Sequence, residues 1–600
     1  MGRHFAHSCS HRLLSTLHDQ LGLLFLSSLF FVLTPLLGAL KFLFVSTCEA
    51  ATPFLAHPFV KPAADAAMLF FTDARSIIVT LVIMPLSLVW DIIDALEDRR
   101  LDLICVPLRN GGARADLHAR RVKDVQAQVV RAVQGGAKRL CTARPSYLTM
   151  NARFAKYKRY WRGIDLEQLR DVVEVDTGRK IVKVEPGCSM GRLTKTLIPL
   201  GWTLPVLPEL DTLTVGGLIN GFGVETSSHK YGLFNHTCVA YEIVLPSGEL
   251  IRCARDMHPG LFAAIPWSHG TIGFLVSAEI TIIPAKKYVH LRYTPCSTHA
   301  AFLKTFEKAS QSSSNDFVEA LIYSPTTSVV MIGTLTDDLP APHRGSLSSK
   351  PGDKLNSIGR WYKPWFYTHA ATYLARDCAG AEYIPLRDYY HRHTRSLFWE
   401  MRDIVPQGNN FLYRLCFGWM PPRISLLKLT TVGKVKELYE QNHIAQDMLV
   451  PMSALTASLD IFDREFGLYP LWVCPMRLLS PPSTKPVAPL PQKSTGRALP
   501  TTTPPGGMCP PHPAEQLYVD IGAYGVPASS NFEAQRSLRK VEAFVRSVKG
   551  YQALYADTLM TSEEFEEMFE CEGLENTRKQ FGSDLLLPRV WEKVNAAARH

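Results

Sequence analysis

The 600-residue chain lacks the patterns that announce a metal site or a cystine scaffold. Its thirteen cysteines include no C-x-x-C pair and no dense cluster, so reduced thiols facing a cytosol are the plain reading. His391 and His393 flank Arg392, but no carboxylate or thiolate completes a ligand set there, and no metal is expected. Basic residues outnumber acidic ones by 65 to 55 without gathering into a stripe interleaved with aromatics, which argues against nucleic acid as a partner. A third glycine is missing too. Gly221-Phe222-Gly223 runs on into Val224-Glu225-Thr226, so the G-x-G-x-x-G turn of a dinucleotide-binding Rossmann unit is excluded.

Long apolar runs are present at the amino-terminal end. Residues 21–45 are almost continuously apolar, with breaks at Thr34, Pro35 and Lys41, and are long enough to cross a hydrocarbon core of about 30 Å. A cleaved signal peptide is the alternative, although no small-residue cleavage site follows the run. A second run, 76–90, carries Asp73 and Arg75 at its entrance and would span with snorkelling flanks or lie in the interface. Arg99, Arg100, Arg109, Arg114, Arg120, Arg121 and Lys123 follow it, which places the large remainder on the cytosolic side by the positive-inside rule.

Beyond these runs, short helical and extended signals alternate. Residues 122–134 have helical spacing and stop at Gly135-Gly136, and 172–185 and 241–253 read as hairpins around Thr177-Gly178 and Ser247-Gly248. Residues 288–337 read strand, helix, strand, strand. A strand is expected at 517–523, followed by helix, strand, helix over 532–569. Residues 188–232 carry a short helix with a glycine stop at Gly201, an extended WTLPV, and a loop with Gly216, Gly217, Gly221 and Gly223. Such a loop lets backbone N–H groups approach an anion closely, and a pyrophosphate is its natural guest.

The strings GWTLPVLPELD from Gly201, LTVGGLI from Leu213, SSHKYGLF from Ser227, GTIGFLVSAEITIIPAKKYV from Gly270, KLNSIGRWYKPWF from Lys354, EYIPLRDYYHRHTRS from Glu382 and YVDIGAYG from Tyr518 carry a resemblance over most of residues 86–600. The chain resembles the FAD-linked oxidoreductases related to vanillyl-alcohol oxidase, in their sterol-reducing branch. The fold class this implies is α+β: a two-subdomain FAD-binding domain of the vanillyl-alcohol oxidase (PCMH) type with an antiparallel-sheet cap, preceded by a membrane anchor. Expected divisions are a divergent extension over 1–67, a membrane-associated helix over 68–95, the FAD-binding domain over 96–287, the cap over 288–530 with a flexible Pro-, Ser- and Thr-rich insertion at 479–513, and a helical segment over 531–600. A further break is expected at 340–352.

The resemblance assigns FAD contacts to Thr194, Lys195, Thr196, Leu197, Ile198, Pro199, Leu200, Gly201, Trp202, Thr203, Leu204, Pro205 and Val206. It adds Val215 with Gly216, Gly217, Gly221 and Gly223, then Ser227, Ser228, His229 and Gly232, and Gly270, Thr271 and Gly273 at the flavin ring. In residues 141–149 many relatives carry a histidine that tethers FAD covalently. Here Arg144, Pro145, Ser146 and Tyr147 stand in its place, so FAD is expected to be non-covalent, with Arg144 offsetting phosphate charge.

The implied reaction is NADPH-driven reduction of the 24(25) side-chain double bond of sterols, desmosterol to cholesterol, at the endoplasmic reticulum membrane. That alkene is conjugated to no carbonyl, so an acid must protonate one carbon as hydride reaches the other. Tyr390, His391 and His393 are the candidate catalytic residues, because cationic neighbours would lower the pKa of either residue type and sharpen it as a donor. A solvated basic strand or a site for NADPH phosphates explains the same residues. Asp520 and Tyr524 stand second. A flavin-dependent alcohol oxidase and a non-catalytic sterol-binding protein remain as alternatives.

Overall fold

The computed structural model describes residues 75–105, 112–145, 148, 155–339, 354–420, 423–429, 439–478, 517–529, 532–569 and 571–596. The expected features at 1–67, 340–352 and 479–513, together with Ser146 and Tyr147, lie outside the described residues.

The chain forms two bodies, one of residues 1–113 and 420–435 and the other of 114–419 and 436–600. In the first, Arg75–Leu96 is a helix long and apolar enough to cross a membrane by length and composition, with a π-helical turn at Val79–Ile83. Ser87 accepts the Arg423 N–H at 3.0 Å, and the Arg423 guanidinium binds Asp91 and Asp94, each at 2.5 Å. These bonds pin the helix Ile424–Leu429 to the same body.

The second body opens with a long amphipathic helix, Gly112–Gln134, which extends ten residues upstream of its expected start. Its apolar stripe Val122, Val125, Val129 and Ala132 packs on strands β1 (Leu140–Thr142) and β2 (Arg162–Ile164), a parallel pair, and on Val244, Phe274, Val276 and Leu587. The expected hairpins form as β3 (Val172–Asp176) with β4 (Ile181–Val184), and, after the short β5 (Trp202–Thr203), as β6 (Cys238–Val244) with β7 (Leu250–Ala254). Strand β8 (Phe274–Thr281) joins them in an antiparallel sheet of order β3-β4-β8-β6-β7, and β9 (Ile283–Pro284) pairs with β5.

A second antiparallel sheet follows. It is built from β10 (Tyr288–Cys296), β11 (Phe317–Ile322), β12 (Ser328–Thr336), β13 (Gly380–Pro385), β14 (Ile444–Pro451), β15 (Leu471–Arg477), β16 (Leu517–Gly525) and β17 (Tyr551–Gln552). Their spatial order is β13-β10-β12-β11-β15-β16-β14-β17. Its central strands are buried on both faces, and one continuous apolar core runs from Val182 and Leu218 through Val318 and Val473 to Phe565.

A buried charge network braces the first sheet against its helix. Glu185 is buried and hydrogen-bonds with His118 at 2.8 Å and Arg121 at 2.8 Å, while His118 also reaches Glu242 at 3.4 Å. Burial pulls the His118 pKa down, but its two carboxylate partners outweigh that and raise it above the usual value. A histidine whose pKa is raised on folding stabilises fully below the unfolded value of about 6.5 and loses that contribution as pH climbs through the raised one. Thermal unfolding of His118→Asn should therefore show a flatter dependence on alkaline pH than the wild type. Identical pH profiles would remove this histidine from the account.

Candidate active site

The segment expected to meet FAD is shaped by its ends. Ser189 accepts the Arg192 N–H and caps the helix Met190–Leu197, a 3-10 turn follows, and Gly201 stops it at φ 80°, a conformation that side chains strain. Lys195, Pro199, Leu200 and Gly201 lie on the outer surface, whereas Thr194, Thr203, Leu204, Pro205 and Val206 are buried and Trp202 is half-buried.

The expected glycine loop is in part a helix, Val215–Asn220, ended at Gly221. Val215 and Gly216 donate their N–H groups to Cys188 at 3.0 Å and Pro186 at 2.8 Å. A Cβ at Gly216 would lie 2.7 Å from Pro186, one at Gly223 2.8 Å from Phe234, and one at Gly273 2.6 Å from the Val244 carbonyl. Close packing against the Pro186 and Phe234 side chains and the Val244 carbonyl thus accounts for glycine at those three positions. Ser227 donates to the Pro205 carbonyl at 2.8 Å, Ser228 accepts the Glu225 N–H at 3.0 Å, and His229 bridges the carbonyls of Thr226 and Asn315. The Ser227 bond ties residues 225–229 to the segment ending at Val206, and His229 ties them to Asn315.

Two further features suit an anionic, aromatic ligand. Arg144 approaches Thr214, at the N-cap of the helix Val215–Asn220, at 3.4 Å. Lys158, which nothing in its basic surroundings singled out in the sequence, donates to Thr142 O at 3.0 Å and to Arg144 O at 2.5 Å. Burial, assisted by the Arg144 charge, lowers the Lys158 pKa to about 8. The second feature is backbone strain, which clusters at functional sites. Trp267, His269 and Gly270 all take positive φ (63°, 51° and 68°), held by Lys593 donating to the His269 carbonyl at 2.5 Å. The Trp267 indole N–H, wholly buried, has no partner among the described residues. Arg144 beside a helix start, the charge of Lys158 behind it, whose three N–H groups go to Thr142 and the Arg144 carbonyl, and an unpartnered buried donor fit the phosphates and ring of a flavin dinucleotide.

The candidate catalytic segment is a seam between the two sheets' domains. Thr203 donates to the Tyr390 hydroxyl at 3.0 Å, His391 Nε2 hydrogen-bonds with Thr194 at 2.9 Å, and Tyr389 with Thr226 at 3.1 Å. Burial reverses the expected effect of nearby cations on the tyrosine, raising the Tyr390 pKa, and it lowers His391 to about 3 and His393 below the usual value. At neutral pH both imidazoles are neutral. The arginines are likewise committed. Arg392 binds Glu319 through Nε at 2.9 Å and Nη2 at 3.0 Å, and Glu225 at 3.1 Å. Arg395 donates to the carbonyls of Arg360 and Lys363.

Glu319 sits on β11, and the register carries its row across the sheet. Leu321 faces Trp472, Trp472 faces Gly522, and Gly522 faces Asp447. By two-residue alternation Glu319, Cys474, Asp520, Asp447 and Tyr524 share that face. Trp472 donates to Glu319 at 2.9 Å, and Tyr524 to Asp447 at 2.5 Å. Glycine at 522 leaves room for that bond, because a Cβ would lie 2.5 Å from the Tyr524 hydroxyl. Burial pushes Asp447 up to about 7. Asp520 is raised well above the carboxylate range by burial and then by Asp447, and neither of its oxygens has a hydrogen-bond partner among the described residues. Glu209, buried beside Glu225, is pushed up in the same way. Three glutamates around one guanidinium leave excess negative charge that a retained proton offsets. Glu209, Asp447 and Lys158 escaped the sequence reading. Among the described residues no group of His, Cys, Asp or Glu is arranged to hold a metal ion.

A family model described as an FAD binding domain matches residues 120–254, from within the first long helix to the end of β7. The chain is 47% identical over 528 residues to the Delta(24)-sterol reductase of Mus musculus, covering 88% of this chain and 94% of the relative. The Homo sapiens enzyme of that name gives the same figures. The Delta(24)-sterol reductase homolog of Caenorhabditis elegans is 40% identical over 538 residues, with 88% and 95% covered. Fold, site and kinship define the class as the FAD-dependent oxidoreductases. Within that class, the chain belongs to the Delta(24)-sterol reductase family.

A cation that holds pyrophosphate should weaken binding when it is lost. FAD affinity of the wild type should decline as pH rises through about 8, and Lys158→Met should bind FAD about tenfold more weakly at neutral pH, in line with the loss of one charge-assisted contact, with a flatter pH profile. Fluorescence titration of FAD checks both, and equal affinities would remove Lys158 from the cofactor site.

Proposed function

We propose that this chain reduces the 24(25) side-chain double bond of sterols, converting desmosterol to cholesterol, with non-covalent FAD as relay and NADPH as donor. The observation that carries the reading is the buried Arg392 bridge that joins Glu319 of the second sheet to Glu225, within the stretch matched as an FAD binding domain. The distribution of that FAD domain into two subdomains of the vanillyl-alcohol oxidase type is supported by the separate core beneath the first long helix. The eight-stranded sheet is then the cap, in the proposed division 96–287, 288–530 and 531–600.

Arg144, Pro145, Lys158, the start of the helix Val215–Asn220, residues 227–229 with Gly232, and the strained stretch through Gly270, Thr271 and Gly273 would hold the cofactor. When bound, FAD supplies a hydride that it takes in turn from NADPH. The chain itself supplies the proton. Burial and the neighbouring Asp447 disfavour the charged form of Asp520, which would deliver its proton to one alkene carbon as hydride reaches the other. The balance is one hydride and one proton added across the double bond, leaving NADP⁺ and a charged carboxylate at Asp520 that regains a proton before the next turnover. Tyr390 and His391 would act by position, holding the cap against the flavin segments through Thr203 and Thr194, and His393 would pack between Phe366 and Phe398 within the cap. The apolar helix Arg75–Leu96, followed by basic residues, supports an endoplasmic reticulum membrane setting with the catalytic body in the cytosol and the sterol drawn from the bilayer.

Anaerobic incubation of membranes carrying the chain with desmosterol and NADPH tests the reading. Cholesterol should form without oxygen, and its rate should fall only at pH above about 7, where Asp447 ionises first and the donor Asp520 after it. Absence of turnover without oxygen would favour an oxidase.

A further inference from the structure

The catalytic body displays an apolar, aromatic and basic surface that its core does not use. On the helix Phe411–Phe417, Phe411 is 61% and Leu412 67% exposed, and Leu415 and, just beyond, Trp419 are exposed beside them. Trp361 and Tyr362, packed edge to face at 5.4 Å, are exposed on a second segment. The two segments form one rigid platform. Asn409 Oδ1 accepts from the Trp365 N–H at 2.9 Å and from Arg414 at 3.0 Å, and a Cβ at Gly418 would meet the Trp361 carbonyl at 2.8 Å. Arg395 clamps residues 360–363 from beneath through its carbonyl contacts.

Charge selects the occupant. Residues 354–366 contain Lys354, Arg360 and Lys363, residues 406–420 contain Arg414, and neither stretch holds an acidic residue. Tryptophan and tyrosine amid basic side chains match the headgroup level of a bilayer, and the cations match anionic lipid. A second copy docking face to face would bring like charges together. We propose that this platform docks the catalytic body onto an anionic phospholipid surface, as a membrane contact separate from the amino-terminal apolar helix. The site lies close by in the chain. Phe366 packs edge-on to His393 at 5.2 Å and beneath the Arg392 guanidinium at 5.6 Å, so docking brings the buried acid cluster near a lipid reservoir. The contact itself does not depend on which lipid is reduced.

Full-length protein in phosphatidylcholine nanodiscs, with and without phosphatidylserine, can be photolabelled by a phospholipid bearing a diazirine in its acyl chain. Mass spectrometry should find label in residues 360–363 and 411–419 as well as in the amino-terminal helix, and more with phosphatidylserine. In Phe411→Glu/Leu412→Glu/Leu415→Glu the platform label should fall about tenfold or more, because each buried apolar side chain alone is worth roughly that factor, with FAD titration and thermal unfolding retained. Should that variant fold poorly, Arg360→Glu/Lys363→Glu, altering only exposed or half-exposed cations, should abolish the phosphatidylserine effect. Label confined to residues before 106, platform peptides cross-linked to a second copy, or an unchanged phosphatidylserine effect in the charge variant would each overturn the proposal. Desmosterol turnover measured alongside separates its failure from failure of the sterol reading.

Discussion

The Arg392 guanidinium, fully buried, binds Glu319 from the cap sheet and Glu225 from the flavin-side domain at once. Taking these charges out of water is costly, and the cost is offset because Glu319 and the guanidinium are satisfied together, with Trp472 and the Tyr389 carbonyl completing their hydrogen bonds and Thr226 adding one to Glu225 Oε1. Loss of the cation alone would strand carboxylates in an apolar core, a change that costs about 3–5 kcal/mol in comparable buried pairs. This interaction fixes how the eight-stranded sheet faces residues 203–229. It also imposes the electrostatics of the site, since a surplus of buried carboxyls over cations obliges some of them to stay protonated.

The proposed chemistry rests on that constraint. An isolated alkene offers no carbonyl to receive negative charge, so its reduction requires a proton source held dry until hydride arrives. Asp520, with Asp447 and Tyr524 on the same face of strands buried on both sides, is the proposed source, whereas Glu319 in that row is held as a carboxylate by Arg392. Tyr389, Tyr390 and His391 serve the same arrangement by bonding across the seam to Thr226, Thr203 and Thr194.

Local order was legible in the sequence. Alternation predicted the hairpins β3–β4 and β6–β7, and the glycine stop at Gly201 is a left-handed residue ending a helix. What local pattern could not show was anything that depends on partners distant in the chain. Gly216 and Gly223 read as a ligand cradle, yet their nearest constraints are Pro186 and Phe234. Tyr390 read as an activated donor beside arginines, whereas burial dominates its environment. Asp447 and Asp520 meet only through the pairing of β14 with β16, and Glu209 meets Glu225 only where two loops converge, so neither pair has a sequence signature. The membership of the family, by contrast, was carried by long strings and needed no geometry.

The central claim is that a cap carboxyl, and not the polar seam, gives the alkene its proton. Asp520→Asn keeps size and shape, so its FAD content and unfolding should match the wild type, and NADPH should still bleach the bound flavin. Saturation of desmosterol measured on that variant should fall about 10²–10⁴-fold, the range for loss of a positioned acid. Saturation at the wild-type rate would contradict the account.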